Sequence, residues 1–296
     1  MNVWVAGARP RTLGVGIVPV LVGAASAPTF VAWRFAAALV VAIGLQVGVN
    51  FANDYFDGIR GVDTAGRLGP PRLVATGAVS ARSVAAAALI SIFVAGAAGL
   101  ALALVSSPVL ILFVGALALV AAATYSGGPK PYAGLGLGEL MVFLFFGLMA
   151  TCGTAFVMAE TVPAAAWWSG SVLGLLAVAV LVANNLRDIP TDTEVGKRTL
   201  AVRLGDRGTR RLYRACMAGG FATIVVGVLV FIADGRVGLT QWGLVGLVGW
   251  IPAIRPLELV GTAEGLELIP ILTGTALVHA ATGLLLAAGL LLARTV

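Results

Sequence analysis

Two segments of the sequence carry amide and carboxylate side chains at helical spacing. In the first, Asn53 and Asp57 are four residues apart, so they lie one turn from each other on the same face of a helix. Asp63 comes after Gly58 and Gly61, where we expect the helix to open into a loop that could curl back. A lone pair of this kind is as readily a helix cap as a binding site. The first segment therefore indicates a binding site only when it is considered together with the second.

The second segment repeats the pattern later in the chain. Asn184, Asp188 and Asp192 recur at four-residue spacing, and Pro190 predicts a turn just after Asp188 because proline disfavours a regular helix. Carboxylates at the end of a membrane span are costly to desolvate and are usually kept because they bind or relay something. Mg²⁺ is typically held by one or two carboxylates together with substrate phosphates and water. The two segments thus predict a site for one or two magnesium ions.

Basic residues in the same loops predict a phosphate-binding site beside the acids. Arginine offers a two-pronged donor to phosphate oxygens, and lysine offers a point charge. Simple membrane orientation would scatter such residues over all the loops, although part of this charge serves orientation alone. The candidates are Arg72, Lys130, Arg187, Lys197 and Arg198.

A glycine- and proline-rich turn, YSGGPKPYAG at 125–134, adds two tyrosines and Lys130 to the same side of the chain. Glycines there permit close backbone approach to a ligand. An ordinary turn between helices is the alternative, since tyrosine also favours membrane interfaces. Tyr125 is the aromatic candidate from this segment.

The elements that must position these residues are membrane helices. Of the 296 residues, 59% are hydrophobic and only 11% are charged, and the mean hydropathy is +1.02. A helix needs about 20 apolar residues to cross the hydrocarbon. We predict one all-α transmembrane domain over residues 1–296 with nine spans, at 12–28, 33–56, 82–105, 108–125, 138–159, 168–187, 211–233, 239–255 and 269–292.

The basic charge indicates membrane orientation and argues against nucleic acid as a partner. The net charge is +6, and 16 of the 19 lysines and arginines fall on one side if the N-terminus is cytoplasmic. Such an excess follows the positive-inside rule. We therefore expect a multi-pass protein of a bacterial-type cell membrane, in contact with lipid, whose acidic segments face the cytoplasm.

With these motifs in view, the chain resembles the UbiA superfamily of intramembrane prenyltransferases, in particular its 1,4-dihydroxy-2-naphthoate branch. The likeness runs over nearly the whole length. It is most specific in ANDYFDGIRGVD, GPPRLVATG, TYSGGPKPYAGLGLGEL and NNLRDIPTDTEVGKRTLAVRLG. The broad superfamily has its last acid of the first motif four residues after the middle one, but position 61 is glycine here and the acid is Asp63. This longer spacing is similar to the naphthoate branch.

The resemblance implies a fold and a set of ligands. It implies nine transmembrane helices around a central cavity, with a cap of cytoplasmic loops and a lateral opening to lipid. The implied fold is similar to that of the soluble isoprenyl diphosphate synthases. The first motif corresponds to Asn53, Asp57 and Asp63, and the second to Asp188 and Asp192. These five residues are the expected Mg²⁺ ligands, with Asn53 as a neutral ligand or hydrogen-bonding partner.

The resemblance also implies an activity. Magnesium would assist transfer of a polyprenyl group from a polyprenyl diphosphate to 1,4-dihydroxy-2-naphthoate with loss of CO2, a step of menaquinone biosynthesis. Asp54, Tyr125 or Arg9 would orient the acceptor or take a proton, and the sequence does not choose among them. Two alternatives stay open: another aromatic acceptor of the hydroxybenzoate or homogentisate type, and a lipid transporter or flippase.

Overall fold

A computed structural model describes residues 2–61, 72–128 and 131–295 of the chain, and every regular element in those ranges is helical. Two predicted site residues, Asp63 and Lys130, lie outside the described residues. The all-α prediction is confirmed.

Eleven α-helices follow one another along the described part of the chain. Three of them, α6, α7 and α10, join other helical turns: a π-helical turn at Phe143–Met149 links α6 to α7, and a 3-10 helix at Gln241–Ala253 leads into α10. The α-helices are α1 (Val3–Ala8), α2 (Pro10–Ser26), α3 (Ala32–Ile59), α4 (Ala81–Val105), α5 (Pro108–Ser126), α6 (Gly138–Val142), α7 (Ala150–Ala159), α8 (Ala164–Glu194), α9 (Leu200–Asp234), α10 (Ile254–Leu259) and α11 (Leu268–Leu292).

Seven helical segments in the described ranges are long and apolar enough to cross a membrane: Ala32–Ile59, Ala81–Val105, Pro108–Ser126, Gly138–Ala159, Ala164–Glu194, Leu200–Asp234 and Gly265–Leu292. The first predicted span corresponds to α2, which has 17 residues and falls just short of that length. The eighth corresponds to the 13-residue 3-10 helix that leads into α10. The protein is therefore an integral membrane protein, and the count of nine crossings stays a prediction.

The helix α8 lies at the centre of the bundle. In its most apolar stretch 67% of the residues are buried, against 11% in α5, so α8 packs among helices whereas α5 presents most of its surface to lipid. Leu173, Leu176 and Ala179 of α8 are fully buried in the largest apolar core. This position makes α8 the rigid support for the second acidic segment at its end.

Pro190 does not end α8, and the predicted turn after Asp188 is wrong. The helix continues to Glu194 with Pro190 inside it. Proline costs the helix one backbone donor, and the helix continues without it. In the same turn the hydroxyl groups of Thr191 and Thr193 donate to the carbonyls of Asp188 and Ile189 at 3.0 and 2.7 Å. Because the helix persists, Asp188 and Asp192 remain one turn apart on it.

The bundle has a polar end, defined here as the end where α3, α5 and α8 finish and α4, α6 and α9 begin. Arg60 at the close of α3 donates to the carbonyls of Ser126 and Gly128 after α5, at 2.8 and 2.6 Å. At the opposite end Arg34 donates to the carbonyls of Val157 and Val105 at 2.8 and 3.1 Å. The acidic segments thus share one end of the molecule.

We expect Gly147→Ala to destabilise the fold, because the π-helical turn brings Gly147 against α8. An added Cβ would meet the Cα of Gly174 and lie 2.6 Å from the carbonyl oxygen of Gly170, and backbone atoms cannot step aside. Overpacking of this kind costs about 1–3 kcal/mol. Thermal unfolding in detergent measures the loss. Gly153→Ala in the same span is the control, since its Cβ would have no neighbour within 4 Å. Equal melting of both variants would contradict the close packing.

Candidate active site

The acidic face of α3 ends at a buried carboxylate that two cations approach. Asp57 is 7% exposed. Its Oδ2 atom lies 3.3 Å from the Nζ of Lys197 and 3.9 Å from a terminal nitrogen of Arg72. Lys197 stands 140 residues further along the chain, in the turn between α8 and α9. This contact joins the first acidic segment to the loop that follows the second.

Asp54, one of the predicted acceptor-side residues, anchors a loop. Its two carboxylate oxygens accept hydrogen bonds from the backbone N–H groups of Leu73 and Val74, at 2.9 and 3.0 Å. The residue is 2% exposed. Since both oxygens are engaged, Asp54 holds the backbone next to Arg72 in position beside Asp57.

The second acidic segment is built around a buried ion pair. Arg187 donates from Nε and Nη2 to the two oxygens of Asp188, at 2.7 and 2.9 Å, a two-pronged contact. The same Nη2 donates to Asn184 Oδ1 at 3.0 Å, and Asn184 donates to Asp188 at 3.3 Å. Arg187 and Asp188 are 6% and 4% exposed. A buried charge is tolerated only when it is paired in this way.

The turn after α8 positions Lys197. Its backbone N–H donates to the carbonyl of Asp192 at 2.8 Å, and the N–H of Arg198 donates to the carbonyl of Gly134 at 3.2 Å. These two bonds tie the turn both to the second acidic segment and to the residues that follow Tyr132. The side chain of Arg198 is exposed, so it faces outward at the rim.

Tyr125, at the end of α5, lies where charges from several elements meet. Its phenol is within electrostatic range of Arg9, Glu139, Asp57 and Asp192. Its ring contacts Tyr132 edge to face, with ring centres 5.4 Å apart. Burial raises the pKa of Tyr132 above its ordinary value, which keeps that phenol protonated as a hydrogen-bond donor.

Arg9 reaches this region from the junction of α1 and α2. It has left-handed backbone angles, φ 57° and ψ 62°, which are uncommon outside glycine. Such a conformation persists only where the surrounding structure holds it, and it is found preferentially at functional sites. Asn53 lies nearby on α3, where its Oδ1 accepts a hydrogen bond from the Ser126 hydroxyl beside Tyr125.

Glu139 was not among the predicted site residues. It opens α6, is 7% exposed, and accepts a hydrogen bond from the side-chain amide of Asn185 on α8 at 3.0 Å. The sequence did hold a signal for it: a single carboxylate at the start of an apolar span is costly and is usually kept for function. Because Glu139 shares the surroundings of Tyr125, it belongs to the same site.

The donor set suits a magnesium ion that takes much of its coordination from a ligand. Within residues 2–61, 72–128 and 131–295, no three histidine, cysteine or carboxylate side chains form a ready-made metal cage. Asp57 and Asp192 nevertheless both lie within electrostatic range of Tyr125, with Asp188 one helical turn before Asp192. Hard oxygen donors in such small number fit Mg²⁺, which usually keeps water and phosphate oxygens as its other ligands.

Comparison with known proteins identifies the family. Residues 16–260 match the UbiA prenyltransferase family. Two mycobacterial relatives are named 1,4-dihydroxy-2-naphthoate octaprenyltransferase. The Mycobacterium leprae protein is 46% identical over 99% of this chain and 97% of its own length, and the Mycobacterium tuberculosis protein is 47% identical over 93% and 91%. The Escherichia coli protein of the same name is 39% identical over 73% of each chain.

Solved structures show the same fold. A UbiA homolog from Aeropyrum pernix, in its apo form, superposes with a TM-score of 0.70 at 18% identity, covering 96% of this chain and 98% of that one. A UbiA homolog from Archaeoglobus fulgidus, bound to GPP and Mg²⁺, superposes at 0.58 with 17% identity and covers 96% and 99%. The chain therefore is a membrane-spanning enzyme that belongs to the UbiA prenyltransferase family.

Proposed function

We propose that this enzyme transfers a polyprenyl group from a polyprenyl diphosphate to 1,4-dihydroxy-2-naphthoate, with loss of CO2, in menaquinone biosynthesis. The observation that carries the proposal is the contact of Lys197 with Asp57, which joins the two acidic segments and their basic partners at one end of the bundle. The names of the mycobacterial relatives support the choice of acceptor. The excess of basic residues in the polar-end loops supports placing that end in the cytoplasm.

We assign the magnesium site to the carboxylates of both segments. Asp57, Asp188 and Asp192 supply the charged oxygens and Asn53 a neutral one, while Asp63 completes the predicted set from outside the described residues. When bound there, magnesium would neutralise the diphosphate and so stabilise it as a leaving group.

The basic residues paired with these carboxylates also bind the diphosphate. Arg72 and Lys197 beside Asp57, and Arg187 on Asp188, each hold a carboxylate that the metal would take over. Released from these carboxylates, the three cations can turn to the diphosphate oxygens without leaving any buried charge unpaired. Arg198 extends this basic set at the rim, and Lys130, which lies outside the described residues, stays a predicted member of it. Cations aimed at the charge that develops on the leaving group lower the barrier to carbon–oxygen cleavage.

We assign the acceptor to the region around Tyr125. Arg9 carries the positive charge that suits the carboxylate of the aromatic substrate. The carboxylate of Glu139 accepts the hydrogen bond from a ring hydroxyl of that substrate. The ring carbon that bears the carboxylate attacks the allylic cation, and the hydroxyl proton passes to Glu139 in the same step. The bond to the carboxylate then breaks, CO2 leaves, its electron pair restores the aromatic ring, and Glu139 returns the proton. Tyr125, which is within electrostatic range of both groups, orients the ring.

Burial protects this chemistry from water. An allylic cation is trapped by any water that reaches it, so a site enclosed among membrane helices favours transfer over hydrolysis. The apolar surroundings also suit the long prenyl tail, which is expected to extend into lipid. A transporter or flippase would need no pairing of acids with bases confined to one end, and the family match disfavours that alternative.

Purified protein incubated with Mg²⁺, a polyprenyl diphosphate and a set of aromatic acceptors tests the proposal. We expect a prenylated, decarboxylated product from 1,4-dihydroxy-2-naphthoate by mass spectrometry, and no product when EDTA removes the metal. Hydroxybenzoate and homogentisate serve as competing acceptors. Product from either of these alone would overturn the assignment of the acceptor, and product in EDTA would overturn the metal site.

Asp54→Asn distinguishes a loop anchor from a base. We expect the free energy of unfolding to fall by about 1–3 kcal/mol, because one of the two buried backbone donors loses its partner. The KM for the prenyl diphosphate should rise, since Leu73 and Val74 adjoin Arg72. Thermal unfolding and steady-state kinetics measure both. If Asp54 were the base, kcat would fall, whereas the free energy of unfolding and the KM for the prenyl diphosphate would not change.

A further inference from the structure

A second basic cavity lies at the polar end, away from the acidic segments. Its volume is about 490 Å³, and it opens between the start of α9 and the residues that follow α10. Four arginines line it: Arg207, Arg210, Arg211 and Arg214. We call the cavity that they line the arginine pocket. None of the residues lining the cavity is assigned to the metal, the diphosphate or the acceptor.

The backbone places the first of the four arginines at the positive end of a helix and the others in the turns that follow. Gly205 has φ 66° and ψ 177°, so the regular part of α9 starts afresh at Asp206. The arginines follow at intervals of three and four residues and therefore share one face of its first turns. Cations are unfavourable at a helix N-terminus, where the exposed N–H groups carry partial positive charge. Like charges one turn apart repel one another as well.

Among the residues that the structure describes, Arg210 is the one member of this set with an ion pair. Arg210 pairs with Asp206 at 2.7 Å and donates to the carbonyls of Val260 and Ala263 at 2.6 and 2.9 Å. Arg207, Arg211 and Arg214 are exposed and have no hydrogen-bond partner in the part of the chain that the structure describes.

The carboxylates do not balance the charge. Besides Asp206, the cavity is lined by Glu264, whose side chain caps the short helical turn at Gly265–Glu267. Four arginines against two carboxylates leave an excess of two positive charges in the cavity. A guanidinium of Arg214 also lies close to Gly261 on the opposite wall, 3.0 Å from where a Cβ would stand, so the small residue leaves room for that arginine.

We propose that the arginine pocket binds a phosphate-bearing anion, separately from the diphosphate substrate. Three guanidiniums that point into one cavity offer paired donors to phosphate oxygens, and the helix N-terminus favours the same charge. The phosphate can belong to the headgroup of an anionic lipid, which lies at the membrane surface where α9 enters, or to free phosphate or diphosphate. Both present the same chemistry to the pocket.

The test compares these two sources on the full-length protein in detergent. Thermal unfolding is followed while phosphatidylglycerol or phosphatidylcholine is added, and separately while sodium phosphate or diphosphate replaces sodium chloride at matched ionic strength. A ligand that binds only the folded protein raises the melting temperature with its concentration. The variant carries Arg207→Gln, Arg211→Gln and Arg214→Gln and retains Arg210, which holds the cavity together. Arg82→Gln, an exposed arginine at the start of α4, is the control.

We expect one of the anions to stabilise the natural protein and to bind the triple variant at least about 10-fold more weakly, since each basic residue near an anionic headgroup contributes appreciably. Stabilisation by phosphatidylglycerol alone identifies a lipid headgroup, and stabilisation by the soluble anions alone identifies a free phosphate ligand. Equal responses of the natural protein and a folded triple variant would overturn the proposal. So would an equal loss in Arg82→Gln, because the effect would then be general surface charge.

Discussion

Asp57→Asn is expected to slow prenyl transfer by at least about 10³-fold, the largest loss among the single substitutions considered. The change removes a negative charge and keeps the shape of the side chain. Asp57 is the carboxylate on which Arg72 and Lys197 converge, and it is the proposed metal ligand from α3. Metal-ion catalysis lowers the activation free energy by several kcal/mol. About 1.36 kcal/mol of activation free energy corresponds to a factor of ten in rate.

Single-turnover formation of the prenylated product, at saturating Mg²⁺ and substrates, measures this effect. Asp234→Asn at the opposite end of α9 is the matched control, because Asp234 is exposed and, within the described ranges, its carboxylate accepts a hydrogen bond only from the nearby backbone N–H of Val237. The control should transfer prenyl groups at the natural rate. Retention of more than a tenth of the rate by a folded Asp57→Asn enzyme would remove Asp57 from the metal site.

Hydrophobic runs made the helices predictable. The nine predicted spans coincide with helical segments, because a backbone in hydrocarbon must satisfy its own hydrogen bonds and the helix is the simplest way to do so. The third span, 82–105, and the helix Ala81–Val105 agree within one residue at its start. The sequence did not predict irregularities inside a span. The segment 138–159 is interrupted by a π-helical turn where it packs against α8.

Local spacing predicted which side chains share one face of a helix but not what they contact. The interval from Asn53 to Asp57 is a property of one helix and can be read from the sequence. The partner of Asp57 is Lys197, 140 residues away, and only the packing of α3 against the α8–α9 turn brings them together. Asp54 shows the same limit, since its bonds to the backbone of Leu73 and Val74 depend on how the following loop folds back.

Proline misled the prediction for a related reason. The rule that proline ends a helix reflects one lost hydrogen bond and one steric contact, and tertiary structure can offset both. In α8 the hydroxyls of Thr191 and Thr193 donate to the carbonyls of Asp188 and Ile189, and the buried ion pair of Arg187 with Asp188 fixes the preceding turn. The continued helix keeps Asp192 on the same element as Asp188, one turn further along.

Glu139→Gln is expected to reduce the rate of transfer to the acceptor by about 10²-fold, the usual contribution of a general base. Glutamine keeps the oxygen that accepts the hydrogen bond from Asn185, so the packing of α6 against α8 should remain. What it loses is the ability to take the proton of the ring hydroxyl as the ring attacks. Cleavage of the diphosphate depends on Asp57 and the basic residues instead, and should continue.

The two steps can therefore be measured separately. Release of diphosphate without acceptor reports ionisation, and formation of prenylated product reports transfer. We expect Glu139→Gln to keep the first rate and the KM for the prenyl diphosphate while losing the second. Glu160→Gln, at the far end of the same span, controls for removal of a carboxylate. Loss of diphosphate release in Glu139→Gln would instead place this carboxylate with the metal ligands, and an undiminished transfer rate would leave the proton to Tyr125 or to water.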